Sequence, residues 1–389
     1  MRDLLPNGTT HWLTTAQPVR VPICPTHHTT PALHGAAPVR HIILSDLHLC
    51  AGHTYADTAT SAAVVRYLRQ LVQNEEPLEL VFAGDTFEFL QVRPNAADHQ
   101  HWSEPNSLTR LAAIVHAHPD FVEVLRRFLH PPQHRLTFLI GNHDFELHYR
   151  GVQARLRELC GGRPDQVQFG TSYRGLGLVI LHGNQSEPYN QFLHFGGITT
   201  PFEEVYGTRL VRHLFTPIQA ADLPEAKLFD HTCPYSLLLW HLLQPAQLRR
   251  AAVRRFLLRA AVLMWHMRLQ AVPRYILAAV PARPDPLTLP APLTDAAWHT
   301  SFEVLLQREI ERLARIPALQ DVHLFVAGHT HTATEVALGD GKRYLNTGTW
   351  KATLAQIEPP RRIDRQNAYV EVTYPDGQHP HGVLRVWAE

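Results

Sequence analysis

Acidic, amide and imidazole side chains recur at five places in this sequence, each directly after a short apolar run. Carboxylate oxygens, amide oxygens and imidazole nitrogens are the ligands of borderline divalent metals such as manganese, iron, zinc and cobalt. No cysteine belongs to the set, which disfavours a structural zinc site. The joint pattern therefore indicates a site for divalent metal ions. The five clusters are Asp46-x-His48, Gly84-Asp85, Gly141-Asn142-His143-Asp144, His182 and Gly328-His329-Thr330-His331.

Each cluster taken alone also has an ordinary structural interpretation. Asp46 and His48 could form a turn with a surface imidazole, Asp85 could cap a helix, and His182 could be a core histidine. Two metal ions about 4 Å apart need a shared ligand and roughly three more ligands each. The five clusters together supply that number, so we favour the metal interpretation for the set.

The apolar runs that precede the clusters predict strands. Runs of this length, rich in Val, Ile, Leu and Phe, are typical of strands buried on both faces. Helical patterns over residues 58–73 and 108–130 separate the early runs, which predicts an α/β sheet. In such sheets the carboxyl ends of the strands hold the functional site. The runs with their polar ends are residues 41–48, 78–85, 135–144, 176–184 and 321–331.

The remaining segments differ in pattern. Residues 1–39 are rich in Pro, Thr and His, and we expect an irregular N-terminal arm there. Residues 40–389 would form one domain, with 200–295 as a helical insertion followed by an amphipathic helix over about 296–316. Four short strands near the end are expected to complete a second sheet packed on the first. These strands are predicted at 334–338, 343–346, 367–373 and 382–388.

Composition limits the class of protein. The chain has 389 residues, 45% hydrophobic and 18% charged, which is typical of a globular protein. A formal net charge of +1 gives the chain no overall positive electrostatic potential that would attract nucleic acid or an anionic membrane. Four cysteines without C-x-x-C spacing predict reduced thiols in a cytoplasmic protein. We find no secretory signal pattern and no apolar run of about 20 residues, so no spanning helix is expected.

The five clusters resemble, in order, the sequence blocks of the calcineurin-like metallophosphoesterases, over about residues 40–184 and 320–350. The resemblance implies a four-layer αββα sandwich with a helical insertion, and a hydrolase of phosphoester or phosphoanhydride bonds. It also implies two divalent ions, manganese first, with iron, zinc and cobalt as alternatives. A hydroxide between the ions would attack phosphorus.

By the same resemblance, the two ions would share Asp85 as a bridging ligand. His143 would protonate the leaving oxygen or stabilise the transition state. Asp144 would orient the His143 ring, unless it is a helix or turn cap. The implied ligands are Asp46, His48, Asp85 and His331 for one metal, and Asp85, Asn142, His182 and His329 for the other.

Within the superfamily, residues 45–49, 84–89 and 141–146 are most similar to UDP-2,3-diacylglucosamine pyrophosphatases. That branch implies a nucleotide-lipid pyrophosphate as substrate and an insertion that roofs the site. The insertion could also make peripheral contact with a membrane. The chain departs from the branch at His143, where arginine is typical, and at Asn184, where aspartate is typical. The class of substrate therefore stays open between a phosphorylated small molecule and a lipid-linked one.

Two alternatives to this interpretation remain. Six arginines between residues 249 and 268 could contact phosphates, as in a metal-dependent phosphodiesterase or nuclease acting on nucleic acid or cyclic nucleotides. The insertion could also be only a structural cap. A non-catalytic scaffold of the same fold is disfavoured, because no expected metal ligand is missing.

Overall fold

The structure is a computed structural model. It describes residues 24–29, 31–35, 38–51, 58–92, 102–200, 202–215, 240–277, 285–291, 300–351, 353–356, 361–363 and 366–388. The first part of the predicted arm, much of the predicted insertion and the start of the helix predicted at 296 lie outside these ranges.

The described residues form sixteen strands and eight α-helices. The strands are β1 Cys24–Thr29, β2 Leu33–Gly35, β3 Arg40–Leu44, β4 Leu78–Ala83, β5 Arg135–Leu139, β6 Val167–Gly170, β7 Ser172–Gly175, β8 Leu178–Leu181, β9 Gly197–Thr200, β10 Leu324–Ala327, β11 Ala333–Gly339, β12 Lys342–Thr347, β13 Thr353–Gln356, β14 Arg361–Ile363, β15 Ala368–Thr373 and β16 His381–Val386. The helices are α1 Thr58–Leu71, α2 Glu104–Ala117, α3 Pro119–Phe128, α4 Arg150–Cys160, α5 Tyr206–Arg209, α6 Pro245–Leu248, α7 Ala251–Leu277 and α8 Phe302–Leu313.

Two six-stranded sheets carry the fold. The first has the order β16-β15-β3-β4-β5-β6, in which β3, β4, β5 and β6 are parallel. The second has the order β11-β12-β10-β8-β7-β2, and its central β10 is parallel to both β8 and β12. Strands β1 with β9, and β13 with β14, form two small ribbons. The carboxyl ends of the central strands of both sheets hold the predicted clusters.

The sheets pack face to face between layers of helix. Ile43 and Val81 of the first sheet belong to one buried cluster with Ile180 and Val326 of the second. The other face of the first sheet packs on helices α1 to α4, where Phe82 meets Phe121 and Phe138. The other face of the second sheet packs on α8 through side chains that include Leu306 and Ile310. This arrangement confirms the predicted α/β class and its sandwich of two sheets and helices.

The length of one helix and the pairing of the last two strands differ from the sequence predictions. The helix predicted over 108–130 is two helices, because Pro119 lacks an N–H and His118 before it adopts φ −129° and ψ 57°. The last two predicted strands, β15 and β16, join the first sheet rather than the second. Strand β15 pairs antiparallel with β3, with Val370 opposite Ile43, so its apolar side chains face the second sheet.

Part of the segment predicted as an irregular arm is ordered. Strand β2 pairs in parallel with β7, and β1 pairs antiparallel with β9. The arm thus contributes an edge strand to the second sheet.

Two of the cysteines that were expected to be reduced, Cys50 and Cys160, are free thiols in buried positions.

The described part of the predicted insertion is helical. A six-residue π-helix, Leu210–Phe215, follows α5, and α7 packs on it through Val253 and Phe256, which meet Leu214 and Leu242. Within the described ranges, no helix has both the length and the apolar content that a bilayer crossing requires.

The aromatic contacts of Phe82 give a stability prediction. Phe82 is fully buried and its ring stacks on Phe138 at 5.3 Å between centroids. Phe82→Ala should lower the free energy of unfolding by about 3–5 kcal/mol, because it removes a large buried side chain and leaves a cavity. Urea unfolding monitored by circular dichroism measures this. Val386→Ala, at an exposed position, should change the stability by less than about 0.5 kcal/mol, and a similar loss in both variants would contradict the packing described.

Candidate metal centre

The carboxyl ends of five strands, from both sheets, meet at one edge of the sandwich. The loops after β3, β4 and β5 come from the first sheet, and those after β8 and β10 come from the second. They bring together all seven side chains that the sequence predicts as metal ligands. Six of these are buried and the seventh, His331, is nearly so. The seven residues are Asp46, His48, Asp85, Asn142, His182, His329 and His331.

The backbone of these loops is unusual. Five of the seven residues have positive φ, between 47° at His48 and 71° at His329. Left-handed backbone is costly for a non-glycine residue, and it persists where the surrounding structure determines it. Hydrogen bonds between the loops do so here: Asp46 N donates to Gly84 O at 3.1 Å, and His48 N to Asp85 O at 2.9 Å. The side chains are therefore aimed by a rigid backbone.

The first group of potential ligands is Asp46, His48 and His331. Oδ1 of Asp46 lies 3.3 Å from His331 Nε2 and 3.8 Å from His48 Nε2. The two imidazole nitrogens are 3.1 Å apart. The other carboxylate oxygen, Oδ2, accepts hydrogen bonds from His329 N at 2.8 Å and from the Ser45 hydroxyl. One oxygen of Asp46 is thus held by the loops, and the other faces the imidazoles.

The second group contains Asp85, His182 and His329. His182 Nε2 lies 3.2 Å from Asp85 Oδ2 and 3.1 Å from Asn142 Oδ1. Its Nδ1 is 2.9 Å from the carbonyl of Ala83, which fixes the ring. Burial opposes protonation of His182, but the neighbouring Asp85 carboxylate raises its pKa to about 9. A cation in this position would replace the proton.

Asp85 connects the two groups through a single atom. Its Oδ2 lies 3.2 Å from His182 Nε2 and 3.8 Å from His48 Nε2. Its Oδ1 accepts a hydrogen bond from the backbone N–H of His143 at 2.9 Å. Burial opposes ionisation of Asp85, but the charges of His182 and His143 lower its pKa below the usual range. The carboxylate is therefore negative, and Oδ2 is the atom that faces both groups.

The donor atoms of the site fit metal ions. Among the described residues, the buried atoms Asp46 Oδ1 and His329 Nε2 make no hydrogen bond of good geometry. His331 Nε2 lies 3.3 Å from the first atom and Glu187 Oε1 lies 3.4 Å from the second. A buried polar atom without a partner is costly, and a bound cation would satisfy a carboxylate oxygen that faces two imidazoles. The donor set, oxygen and nitrogen without sulfur, suits divalent manganese, iron, zinc or cobalt.

His143 forms a third group of potential ligands with His48 and Asp85. It also contacts a carboxylate that the sequence analysis did not select. Its Nδ1 lies 2.6 Å from Glu88 Oε2, which also lies 3.3 Å from His48 Nδ1. Burial opposes ionisation of Glu88, but His143 and His48 hold its pKa below the usual range. Glu88, three residues after Asp85, thus orients the His143 ring.

Asp144, which was expected either to orient the His143 ring or to cap a turn, bonds to backbone groups. Its carboxylate accepts hydrogen bonds from the backbone N–H groups of Gly141 at 2.7 Å and Thr86 at 2.8 Å. Burial and the Asp85 charge raise its pKa to about 7. Asp144 therefore ties the loop after β5 to the loop after β4, a turn-stabilising role close to the alternative that the sequence allowed.

A second carboxylate was also missed. Glu187 is fully buried, and its Oε1 lies 3.4 Å from Nε2 of His329. Its Oε2 accepts from the backbone N–H of Tyr189 at 2.6 Å. Carboxylates next to metal-binding imidazoles commonly fix the orientation of the ring. Glu187 lies in the loop after β8, where no spacing rule distinguishes it from an ordinary surface residue.

Four further residues, Asn346, Thr347, His116 and His53, could also have lined the site as judged from the sequence. The Asn346 side chain donates to Gly328 O at 2.8 Å, and the Thr347 hydroxyl lies 2.5 Å from that of Ser45, so both support the loops of the site. His116 is exposed on α2 and does not reach the site. His53 lies outside the described residues.

A cleft opens on the metal-binding side chains. One wall carries Asp85, Asn142, His143, His329 and His331. The rest of the lining is largely apolar, with Tyr189, Leu210, Val211 and Phe302. The Phe302 ring stacks on that of His329, with 5.8 Å between ring centroids and an interplanar angle of 15°. The cleft can thus bind a polar group of a ligand at the carboxylate and imidazoles and an apolar group at its apolar lining.

Comparison with known families identifies this arrangement. Residues 39–259 match the family described as calcineurin-like phosphoesterase. The chain belongs to this family. The expected enzyme class, a metal-dependent phosphoesterase, is thereby confirmed, whereas the UDP-2,3-diacylglucosamine pyrophosphatase branch is not. A search of curated proteins found no match.

Solved structures similar to this phosphoesterase have low sequence identity. A predicted phosphoesterase from Streptococcus pneumoniae TIGR4 is 11% identical with a TM-score of 0.27, covering 90% of this chain and 99% of that chain. A dimetal phosphatase from Danio rerio is 12% identical with a TM-score of 0.32, covering 90% and 100%. A cold-active protein-tyrosine phosphatase of a Shewanella species is 12% identical with a TM-score of 0.29, covering 93% and 84%. These scores are too low to support an argument about substrate.

The close approach of Gly141 to Asp85 gives a prediction. A Cβ at Gly141 would lie 2.1 Å from Asp85 Oδ1 and 2.7 Å from Asp85 N. Gly141→Ala should therefore move the carboxylate by a few tenths of an ångström or more and lower kcat/KM by about 100-fold, as displacements of about 1 Å do. Hydrolysis of a nitrophenyl phosphodiester measures the loss. Gly196→Ala, where a Cβ meets nothing within 4 Å, is the matched control, and equal activity of the two variants would contradict the geometry.

Proposed function

We propose that this phosphoesterase cleaves phosphoester or phosphoanhydride bonds with two divalent metal ions that share Asp85. The observation that carries the proposal is the position of Asp85 Oδ2 between His182 on one side and His48 on the other. In this proposal the ligands are Asp46, His48, Asp85 and His331 for one ion, and Asp85, Asn142, His182 and His329 for the other.

When bound, two such ions neutralise phosphoryl oxygens and make a water nucleophilic near neutral pH. The protein determines where this happens. Asp46 Oδ2 and Asp85 Oδ1 are occupied by backbone N–H groups, so each carboxylate presents its other oxygen in one orientation. His182 is held by the Ala83 carbonyl. A site that is ordered before the substrate arrives loses little free energy to reorganisation during the reaction.

His143 is the proposed proton donor to the leaving oxygen. It lines the cleft, and its Nδ1 faces the ionised Glu88 carboxylate at 2.6 Å. A carboxylate on one nitrogen stabilises the imidazolium form, so Nε2 is the nitrogen that would deliver the proton. Glu88 is then a positioning residue for His143, the part that the sequence had given to Asp144.

The cleft supports a substrate with both polar and apolar parts. A phosphoryl group at the metal-binding wall would leave its substituent against Tyr189, Leu210 and Phe302. Phosphorylated small molecules with an apolar or aromatic substituent and nucleotide-lipid pyrophosphates both have this form. Manganese is the first metal to test, because the proposed donors are carboxylate, amide and imidazole groups.

Metal removal and reloading test the reaction. Protein treated with a chelator should lose hydrolysis and regain it with Mn²⁺, Fe²⁺, Zn²⁺ or Co²⁺. The rate is measured on aryl phosphomonoesters and diesters, a nucleoside-diphosphate lipid, cyclic nucleotides and single-stranded DNA. The amphiphilic pyrophosphate or the aryl diester should be cleaved fastest. Faster cleavage of DNA than of every small substrate would favour the nuclease alternative.

The substitution Asp85→Asn tests the proposed role of Asp85 as a ligand shared by both ions. It should lower kcat at least about 100-fold and weaken metal binding, because even the loss of a residue behind a ligand costs 10–100-fold. Asp340→Asn is a matched control, since Asp340 has a similar φ of 50° but lies exposed in a distant turn. Near-normal metal content by atomic emission and near-normal turnover with excess metal would show that Asp85 is not a metal ligand.

Loss of the His143 side chain should affect proton transfer and spare the metals. His143→Ala should lower kcat by about 10²–10⁴-fold with metal content retained, because general acid catalysis contributes that much. The loss should shrink for a nitrophenolate leaving group, which needs no proton. His116→Ala removes an exposed histidine and should have no effect. Loss of bound metal in His143→Ala would instead make His143 a ligand.

A further inference from the structure

Large exposed apolar side chains are concentrated in one part of the molecule. The described residues include seven, and five of them lie between residues 240 and 265, where they are 43% to 69% exposed. The other two, Val304 and Val386, are isolated. A concentration of this kind marks an interaction surface, whereas single exposed apolar residues do not. The five are Trp240, Leu243, Leu258, Val262 and Trp265.

Three of these side chains share one face of α7. Leu258, Val262 and Trp265 are spaced by four and three residues, so they lie together on the same side of the helix. Val253 and Phe256 lie on the opposite side and are buried against Leu214 and Leu242. Helix α7 is thus apolar on two sides, one packed against the protein and one exposed. We call the exposed side, Leu258, Val262 and Trp265, the docking face.

Arginines border the docking face. On a helical projection Arg254 lies on one side of the three apolar residues, and Arg255 and Arg259 lie on the other. All three arginines are exposed. An apolar stripe between rows of arginine is the pattern of helices that lie in the interface of a bilayer, with the apolar side chains inserted and the guanidinium groups among the headgroups.

The charge of the surrounding segment is one-sided. From residue 231 to residue 284 the sequence has eight arginines and no aspartate, glutamate or lysine. The whole chain, in contrast, has a net charge of only +1. Cationic charge beside an apolar face is complementary to anionic phospholipid, since each arginine near such a surface is attracted to it. Phosphates of a nucleic acid would satisfy the arginines but would leave Leu258 and Val262 in water.

We propose that the docking face of α7 binds the surface of an anionic phospholipid bilayer. Trp265 is an amphipathic ring of the type that is enriched at the membrane–water interface. The opposite side of α7 connects this contact to the cleft, because Leu263 packs with Tyr206 and Leu210, and Leu210 lines the cleft. Docking would therefore hold the cleft close to the lipid surface. The proposal does not rest on the metal chemistry and can fail independently of it.

Sedimentation of the full chain with vesicles tests the proposal. The protein should sediment with vesicles of phosphatidylcholine and phosphatidylglycerol, bind phosphatidylcholine alone much more weakly, and be released by high salt. Leu258→Gln/Val262→Gln/Trp265→Gln should weaken binding at least about tenfold, because three apolar side chains no longer enter the lipid. Arg255→Gln/Arg259→Gln should weaken binding to anionic vesicles by about fivefold per arginine.

Matched variants isolate the contribution of the docking face. Val386→Gln changes an exposed apolar residue elsewhere and should bind like the wild type. The triple variant should keep the circular dichroism spectrum and the hydrolysis of a small aryl phosphodiester. If the triple variant does not fold, fluorescence quenching by brominated lipid tests the docking face instead. Brominated vesicles should lower the tryptophan fluorescence of the wild type, and Trp265→Phe should show less of this quenching.

Three results would overturn the proposal. The first is no binding of the wild type to anionic vesicles at low salt. The second is unchanged binding of the folded triple variant. The third is a wild-type oligomer in size-exclusion chromatography that becomes a monomer in the triple variant, which would make the docking face a contact between copies of the chain.

Discussion

Two aspartates, an asparagine and four histidines converge in a space from which water is largely excluded, and the architecture around them follows from this constraint. Buried carboxylates and imidazoles are costly unless their charges are compensated and their remaining lone pairs are satisfied. In this protein the backbone N–H groups of His143 and His329 each occupy one carboxylate oxygen. The other oxygens, Asp46 Oδ1 and Asp85 Oδ2, face imidazole nitrogens. Five residues with left-handed backbone and glycines at close approaches are the local consequence.

The seven residues that converge here could be selected from the sequence because each predicted ligand follows closely after a buried strand. An apolar run ending in Asp, Asn or His locates both the strand and the side chain at its carboxyl end. The partner of His143 could not be predicted in this way. Asp144 is next to it in sequence, but adjacent residues point in different directions, and Glu88 reaches the ring from the neighbouring loop. Glu187 was beyond prediction because only the fold brings it to His329.

The sandwich was predictable as a class, but the membership of each sheet was not. Apolar runs indicate which segments are buried strands, and they do not indicate which strands pair. One helix boundary was missed although the sequence contains the residue that causes it, because Pro119 divides the helix predicted over 108–130 into two. The insertion was predicted to be helical. The sequence does not show which apolar and cationic side chains of α7 face solvent, because this depends on how the helix packs. Arginines that look dispersed along the sequence border an exposed apolar stripe.

The sheet order also bears on how the chain is made. Strand β3 contributes Asp46 and pairs on one side with β4, which is synthesised soon afterwards. Its other edge pairs with β15, residues 368–373, so more than 300 residues separate the two partners, as Val370 opposite Ile43 shows. During translation that edge of β3 stays open until β15 has left the ribosome, and open edges of buried strands invite pairing with other chains. Nascent chains would then be most vulnerable to aggregation late in synthesis, when the helices over β4 and β5 exist but the first sheet still lacks two strands.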